Sequence, residues 1–399
     1  MQFKTFDVIP HNTKFDFVGK RHIAVTLSLL ANAAVILWAV FHGLNFGVDF
    51  AGGTEMEVKF EQTVDPGAIR KGVEDLGFTD ASVQTYGPES EHTYLIRVGR
   101  IALMSQEDVN RVVQAVQAKF PVQGQPHFNA DAGDKIDFQF QGTPPTPDQL
   151  RAAVEAAGVR VRDVREEAGL TAGTKSFAVI TQGIQDKIEH DLTARFGAAK
   201  PEVRRVEYVG PAVGRELRTQ GFKAIVYAMI LIVLYVGLRF DFRFSPGVII
   251  ALIHDAVITL GYFAFTGREF NLTSVAVILT VVGYSVNDTV VVYDRIRENA
   301  ARFKGKKLGD LVNVSINEVL GRTFLTSFAT ALSLIGLLVY GVGTIFDFSA
   351  AMMIGIISGT YSTWFIAAPM TIWLEERAET KKAKGAADRA DRAHASAAR

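Results

Sequence analysis

Two acidic residues lie inside apolar stretches of this sequence that are long enough to cross a membrane. Asp288 follows Asn287 late in the apolar run 271–293. Asp255 lies midway along a second apolar run, 246–265. A carboxylate at membrane depth costs about 3 kcal/mol on insertion scales, so such a residue is expected to have a function and a partner on another helix or in a hydrated cavity. A carboxylate that alternates between its charged and neutral forms at that depth is a proton carrier, as in pumps and transporters.

A basic residue is predicted at a depth similar to that of Asp288. Arg322 opens the apolar run 323–340, which crosses in the opposite direction to the run that carries Asp288. A cation there would hold Asp288 ionised, and its loss would favour the protonated form because burial disfavours charge. We therefore predict a proton relay of Asp288, Arg322, Asp255 and Asn287. A fixed buried ion pair is the alternative, and Arg322 alone is also explained by snorkelling to lipid headgroups.

Further polar and small residues lie in the same runs. His254 precedes Asp255, and a row of hydroxyl residues follows Arg322: Thr323, Thr326, Ser327 and Thr330. Close helix packing is sufficient to explain a group of small residues in two of the runs: Gly283, Ser285, Gly355, Ser358 and Gly359. No pattern of catalytic, cofactor-binding or metal-binding residues is identified, so the sequence favours a protein that is not an enzyme.

Six apolar runs are each long enough to span a hydrocarbon core of about 30 Å. They predict an α-helical membrane protein with transmembrane helices at 22–41, 222–238, 246–265, 271–293, 323–340 and 348–374. Basic residues collect before the first run and at alternate connections, whereas the short loops on the other side carry only Arg268. By the positive-inside rule both the N-terminal segment 1–21 and the tail 375–399 are cytoplasmic.

The segment 42–220 between the first two spans has the composition of a water-soluble α/β domain, and the predicted topology places it in the periplasm. Residues 55–60 alternate as a strand does, and a helical pattern with Pro66, Ile69 and Val73 follows. The same order recurs in the strand 135–140 and the helix with Pro147, Leu150 and Val154. We therefore predict two ferredoxin-like units, at about 54–120 and 135–208. Coincidence of two ordinary α/β segments is the alternative.

Composition excludes several classes of function. The formal net charge is zero, which gives no argument for nucleic-acid binding. The chain contains no cysteine, so it has neither disulfides nor cysteine-based metal sites. No cleavable signal peptide is evident, because the first apolar run is as long as a spanning helix. The tail is rich in Ala, Lys and Arg and is expected to be solvated.

Five short motifs occur in a fixed order along the chain. They are the segment 46–54 (FGVDFAGGT), the segment 209–217 (VGPAVGREL), the pair His254-Asp255, the segment 286–299 (VNDTVVVYDRIREN) and the segment 322–327 (RTFLTS). Together they resemble the SecF family of the bacterial SecD–SecF complex, in the RND superfamily. Each motif is weak alone, but their order and their placement relative to six spans are specific. The resemblance covers 20–60 and 205–375 closely and 61–100 loosely. Members of the family have a shorter external domain, so the second α/β unit departs from the pattern.

The resemblance implies a fold and a function. It implies an RND-like half bundle in the bacterial inner membrane that forms a heterodimer with SecD and assists the SecYEG translocon, with YajC or YidC as further partners. It also implies that proton flow drives the late translocation and release of exported polypeptide on the periplasmic side. By position in the motifs, Asp288 matches the membrane carboxylate of the proton path and Arg322 its basic partner, while Asp255 and Asn287 carry over less directly.

Three other functions are compatible with six spans and an α/β domain. Half of an RND-type small-molecule or lipid exporter should have an apolar pocket in the external domain, whereas a polypeptide-handling protein should offer an open groove or an edge strand. A structural scaffold of the translocase would tolerate Asp288→Asn. An intramembrane aspartyl hydrolase would need Asp255 and Asp288 to share a proton, which the predicted proximity of Arg322 disfavours.

Overall fold

The computed structural model describes residues 13–377, apart from 77, 79–80, 100–105, 129–134, 143, 169–173, 182–183, 241–244 and 304, together with Thr380. The predicted cytoplasmic segments 1–12 and most of the tail beyond 377 therefore lie outside the described residues. The chain divides into two compact units. One contains Met1–Phe46 and Thr219–Arg399, and the other contains Gly47–Arg218.

The first apolar run forms helix α1 (Arg21–His42), which extends one residue beyond the predicted span at each end. A single helical turn, α2 (Val48–Ala51), opens the α/β unit and precedes two glycines. Gly53 has a φ of +126°, and a Cβ atom at this position would lie 2.7 Å from the carbonyl oxygen of Val98. Glycine is therefore the residue that fits both this backbone conformation and this close approach.

Eight strands and four further helices follow in the α/β unit. In chain order they are β1 (Gly53–Lys59), α3 (Pro66–Asp75), β2 (Ser82–Thr85), β3 (Thr93–Val98), α4 (Gln106–Gln117), β4 (His127–Phe128), β5 (Lys135–Gln141), α5 (Pro147–Ala156), β6 (Val161–Ala168), β7 (Thr174–Thr181), α6 (Ile184–Phe196) and β8 (Glu202–Val209). They form two separate four-stranded sheets.

The first sheet has the order β2-β3-β1-β8, and its neighbouring strands are antiparallel. Alternate residues of β1, such as Met56 and Val58, pack with Ile69 and Val73 of α3 in a buried core. Leu192 of α6 belongs to the same core. The chain order β-α-β-β-α-β with this strand order is the ferredoxin-like arrangement.

The second sheet has the order β4-β5-β7-β6 and is covered by α4 and α5. Its core contains Phe138 and Phe140 of β5, Leu150 and Val154 of α5, and Val112 of α4. The order of its elements in the chain is α4-β4-β5-α5-β6-β7. This is the same spatial arrangement as in the first sheet, entered at a different point of the chain.

The strand pairing divides the α/β region differently from the predicted units 54–120 and 135–208. The first unit is discontinuous, because α6 and β8 return to pack on β1 after the whole second unit has been completed. Helix α4, which the sequence prediction assigns to the first unit, packs in the second core. The periodicity of each segment is that of an α/β protein, but periodicity does not specify which sheet a helix or strand joins.

The similarity between the two strand–helix pairs is visible in how their helices begin. Helix α3 starts with Pro66, and the Asp65 side chain accepts a hydrogen bond from the backbone N–H of Ala68. Helix α5 starts with Pro147 after Thr146, whose side chain caps the N-terminus in the same way. Proline and a capping side chain at this position fix where the helix begins and so which residues form its apolar face.

Five helices complete the membrane unit. They are α7 (Pro211–Arg239), α8 (Ser245–Thr266), α9 (Leu272–Arg302), α10 (Leu308–Tyr340) and α11 (Thr344–Ser362), and α11 continues through a π-helical turn at Thr363–Ala367. With α1, they give six described helices that are long and apolar enough to cross a membrane, the last of them running to Arg377.

Three of these helices extend two or more turns beyond their predicted spans. Helix α7 begins at Pro211, α9 continues to Arg302, and α10 begins at Leu308. Hydropathy marks only the apolar part of a helix, whereas hydrogen bonds between side chains support its polar ends. Arg295 of α9 donates to Glu318 of α10 at 2.6 Å, in a part of both helices where apolar periodicity is weak.

Candidate functional site

Asp255 lies at the centre of a cluster of hydroxyl groups in the membrane unit. Its side chain, on α8, is fully buried. Ser285 of α9 donates a hydrogen bond to the carboxylate at 2.6 Å, and Ser358 and Ser362 of α11 each donate one at 2.7 Å. Three helices therefore converge on one carboxylate.

The imidazole of His254 is the fourth partner of Asp255. Its Nδ1 atom lies 3.0 Å from Oδ1 of Asp255 and 3.3 Å from the hydroxyl of Ser358. A carboxylate offers about four acceptor positions, so these four groups are sufficient to satisfy it. Because the donors are short side chains on packed helices, the Asp255 carboxylate is held in one position.

Asp288 has a much sparser set of partners. Its side chain is 2% exposed. In the part of the chain that the structure describes, its carboxylate accepts one hydrogen bond, from the hydroxyl of Ser327 on α10 at 3.3 Å. The hydroxyl of Thr360 on α11 lies 2.8 Å from that of Ser327. A buried carboxylate with one long hydrogen bond is far less well satisfied than Asp255.

The other two predicted relay residues do not contact either carboxylate in this structure. Arg322 is exposed and precedes Ser327 by five residues, a rise of about 7.5 Å along α10. No ion pair between Arg322 and Asp288 is present among the described residues. Asn287 is exposed and therefore lies on a different face of α9 from Asp288. The roles predicted for these two residues remain predictions.

The two carboxylates occupy neighbouring layers of the same bundle. Ser285, which donates to Asp255, is three residues from Asp288 on α9, a rise of about 4.5 Å. The hydroxyls of Thr289 and Thr363 lie 2.9 Å apart and link α9 to the continuation of α11, about one turn further along α9. No direct hydrogen bond joins Asp255 and Asp288 among the described residues, whereas the two carboxylates of an aspartyl hydrolase share a proton.

The π-helical turn of α11 begins directly after Ser362. π-helical turns are uncommon insertions in α-helices and occur frequently at functional sites. Here the turn Thr363–Ala367 changes the phase of the helix between the two serines that contact Asp255 and the end of the helix at Arg377.

The sequence analysis interpreted Ser285 and Ser358 as small packing residues, and that interpretation is incomplete. Both are hydrogen-bond donors to Asp255. The interpretation is correct for Gly355 and Gly359 but not for Gly283, where a Cβ would meet nothing within 4 Å; a Cβ at Gly355 would lie 2.2 Å from Cγ2 of Val281. A Cβ at Gly359 would lie 3.0 Å from that of Ser285. Close backbone approach is what allows such short hydroxyl side chains to reach across.

Ser362, Thr360 and Thr363 were not predicted from the sequence. A usable signal was present, because Gly355, Ser358, Gly359 and Ser362 recur at spacings of three and four residues and so share one face of α11. Among the described residues, no group of three or more His, Asp or Glu side chains is arranged to hold a metal ion.

The fold and the site together define a class of protein. A bundle of six membrane helices with buried carboxylates in its interior, and a ferredoxin-like α/β domain between helices one and two, is a half bundle of the RND type. Two family models match this chain. Residues 188–377 match the model described as protein export membrane protein SecD/SecF, C-terminal, and residues 38–64 match the SecD/SecF GG motif.

Curated relatives extend the match to nearly the whole chain. The protein translocase subunit SecF of Magnetococcus marinus is 34% identical over 376 residues, which is 94% of this chain and 97% of that protein. The protein of the same name from Rickettsia bellii is 31% identical over 95% of this chain and 100% of its own length. The chain belongs to the SecF family of protein translocase subunits, which confirms the resemblance found in the sequence. Because these relatives match over nearly their whole length, the expectation that members of the family have a shorter external domain is wrong for them.

Two solved structures share the fold. A crystal structure of SecDF from Thermus thermophilus, titled a translocon-associated membrane protein, matches 92% of this chain with a TM-score of 0.66 and 27% identity. A crystal structure of SecDF in a super-membrane-facing form matches 96% of this chain with a TM-score of 0.57 and 28% identity. This chain spans about 40% of the length of those chains. The predicted fold class is thereby confirmed.

Proposed function

We propose that this protein is an accessory subunit of the Sec protein-export machinery in which Asp288 carries protons that drive the late translocation and release of polypeptide. The membership of the SecF family supports the coarse part of this function. The proton step is supported by the contrast between the two buried carboxylates.

The difference in hydrogen bonding between Asp288 and Asp255 carries the proposal. Asp255 has four close partners, so its carboxylate is fixed and its environment is prepared for a charge. Among the described residues, Asp288 has one hydrogen-bond partner, at 3.3 Å, and no cation in contact. Burial favours the neutral form of such a group, and an approaching cation favours the charged form. Asp288 is therefore the carboxylate whose protonation responds to a small movement of its surroundings, and Arg322 is the cation that such a movement would bring closer.

The exposed faces of two membrane helices favour a second membrane subunit, of the SecD type, as the partner of this protein. A row on α9 that is exposed in this chain contains small and polar residues rather than large apolar ones: Ala276, Thr280, Gly283 and Asn287. The exposed face of α10 has a similar row: Arg322, Thr326, Ala329, Ser333 and Gly336. Small residues permit close helix approach in a membrane, and polar residues there are expected to face protein or water rather than lipid.

The edge strands of the α/β unit favour extended polypeptide as the class of substrate. Strands β6 and β8 are each eight residues long and lie at the edges of their sheets, so each can accept a further strand. The faces of the sheets that are not covered by helices carry charged side chains, including Glu55 near Arg205 and Lys135 paired with Glu167. These charged faces do not suit a small apolar ligand, which makes an exporter of such ligands the weaker alternative.

The positive-inside rule supports cytoplasmic termini and a periplasmic α/β unit. Basic residues lie at one set of helix ends, at Arg21, Arg239, Lys306 and Arg377, whereas Arg268 lies in a short loop at the other. In this orientation Asp288 lies in the cytoplasmic half of its helix, and the α/β unit with its edge strands lies on the side to which polypeptide is exported. The SecYEG translocon, YajC or YidC would be the further partners.

The proposal is tested by the export of a secreted reporter in cells that carry Asp288→Asn in place of the native residue. Asp294→Asn is the matched control, because Asp294 is on the same helix but its side chain is 62% exposed. We expect Asp288→Asn to reach the membrane and co-purify with SecD while export falls to the level of a strain without the protein. The control should export normally. Normal export by an assembled Asp288→Asn variant would refute a titrating role for this carboxylate.

A further inference from the structure

The segment before α1 is fixed to the membrane unit in an unusual way. Residues 15–17, here called the N-terminal strap, lie along α10. The backbone N–H of Phe15 donates to Oδ1 of Asn317 at 2.9 Å, and Nδ2 of Asn317 donates back to the carbonyl oxygen of Phe15 at 2.9 Å. The amide side chain thus pairs with the strap as a neighbouring β-strand would.

A second asparagine repeats this pairing one turn earlier on α10. The backbone N–H of Phe17 donates to Oδ1 of Asn313 at 2.9 Å, and Nδ2 of Asn313 donates to the carboxylate of Asp16 at 3.2 Å. Asn313 and Asn317 are four residues apart and so lie on one face of the helix. Their spacing matches the two-residue repeat of an extended strand, whose alternate N–H groups point the same way.

The other contact of the strap is with the π-helical turn of α11. The Phe17 side chain is 6% exposed. Its ring centroid lies 5.8 Å from that of Trp364 and 5.4 Å from that of Phe365, both of which belong to the turn. Phe15, by contrast, is 59% exposed. Backbone pairing holds the strap to α10, and a single buried ring holds it to α11.

Of the two helices that the strap joins, α10 supplies the hydrogen-bond donor to Asp288, and α11 supplies the hydroxyl that contacts this donor. Ser327, which donates to Asp288, is on α10, and Thr360, whose hydroxyl lies 2.8 Å from that of Ser327, is on α11. Thr360 is three residues before the start of the π-helical turn. A shift of α10 against its neighbours would therefore alter both the contact between Ser327 and Thr360 of α11 and the only hydrogen bond that Asp288 of α9 accepts in the described part of the chain.

We propose that the N-terminal strap sets the register of α10 against α11, so that Phe17, Asn313 and Asn317 are positioning residues for the Asp288 site. This inference rests on the proposed function only for the proton-carrying role of Asp288. The contacts of the strap do not depend on that role. The strap itself contacts neither carboxylate. It acts by holding Ser327 and Thr360 opposite each other.

The absence of cysteine from the sequence permits a direct test of the register. Ser327→Cys and Thr360→Cys are introduced together into the full chain, which is kept in membranes with SecD. The two hydroxyls that they replace lie 2.8 Å apart, which is compatible with disulfide formation. The rate of disulfide formation under a mild oxidant is read from the mobility of the chain on a gel. It reports the register of the two helices without reference to protons.

Phe17→Ala and Phe15→Ala form a matched pair in this background, because both keep the backbone pairing and only Phe17 is buried. We expect Phe17→Ala to slow disulfide formation about fivefold or more, equivalent to about 1 kcal/mol, and Phe15→Ala to change it less than about twofold. If Phe17→Ala fails to accumulate, the double variant Asn313→Ala/Asn317→Ala replaces it with the same expectation. Rates equal to those of the unmodified strap would overturn the inference.

A second readout separates positioning from loss of protein. With the native Ser327 and Thr360 restored, export is measured while an uncoupler lowers the proton-motive force in steps. Phe17→Ala should need a larger force for half-maximal export, whereas fewer intact molecules would lower export by the same fraction at every force, a result that contradicts the inference. If Asp288→Asn exports normally while the disulfide rates change as expected, the proposed function fails and the strap retains its positioning role.

Discussion

At the scale of single residues, the decisive difference lies in what surrounds two carboxylates of the same chemical type. Asp255 receives three short hydroxyl hydrogen bonds and an imidazole contact, while Asp288 receives one long hydrogen bond. A buried carboxylate that loses a donor retains the desolvation cost of the charge without the compensating bond. The stability of the bundle should therefore depend strongly on the hydroxyls around Asp255.

Ser358→Ala should lower the free energy of unfolding by about 1–3 kcal/mol, because it removes a donor at 2.7 Å from a fully buried carboxylate. The measurement is thermal or denaturant unfolding of the purified protein in detergent. Ser333→Ala is the control, because Ser333 is exposed on α10 and should change the value by less than about 0.5 kcal/mol. Equal destabilisation by both substitutions would show that Asp255 does not depend on this hydroxyl.

The sequence was sufficient to predict that Asp255 and Asp288 lie within membrane helices, because apolar runs and charge are local properties. It was not sufficient to predict that Ser285 and Ser358 contact Asp255, since that contact depends on how closely α8, α9 and α11 pack. The depth of Arg322 was predicted from the direction of its helix. The exposure of its side chain could not be predicted, because exposure depends on which neighbouring helices cover that face.

At the scale of elements, the second α/β unit interrupts the first. Strand β3 of the first sheet ends at Val98, and α6 of the same unit begins at Ile184. The two buried cores have no residue in common. The first unit should therefore fold without the second, provided that α6 and β8 remain.

Replacing residues 101–183 of the full chain with a flexible linker of about ten residues should leave the first sheet intact, because such a linker reaches about 30 Å when extended. We expect near-normal membrane levels and co-purification with SecD. The control removes residues 121–208, which follows the boundaries predicted from sequence and deletes α6 and most of β8. The control should accumulate poorly, because β1 loses β8, one of its two neighbouring strands, and the core loses α6. Equal accumulation of both variants would argue against the discontinuous first unit.

The sequence predicted the helices and strands of this region more successfully than their grouping. Pro66 and Pro147 identify equivalent helix starts, since proline and an N-cap act locally. The pairing of β8 with β1 could not be predicted from such local signals, because it joins residues that are far apart in the chain, such as Glu55 and Glu207. Strand partners so distant are selected by the packing of the whole core.

At the scale of the whole molecule, the proposal requires a modest conformational change for each proton. One elementary charge that crosses 100 mV releases about 2.3 kcal/mol, which changes the ratio of two conformations about fiftyfold. That is sufficient to shift packed helices between two arrangements. It is not sufficient to unfold a domain, so the work on exported polypeptide would be done in many small steps.

The most direct test of the central claim is proton flux through the purified complex with SecD in liposomes, with an imposed pH gradient and a pH-sensitive dye inside. The unmodified complex should conduct protons above the level of empty liposomes. Asp288→Asn should lower the flux to that level while the complex remains assembled, and Asp294→Asn should conduct normally. If Asp288→Asn conducts as well as the unmodified complex, Asp288 does not carry the protons and the account is contradicted.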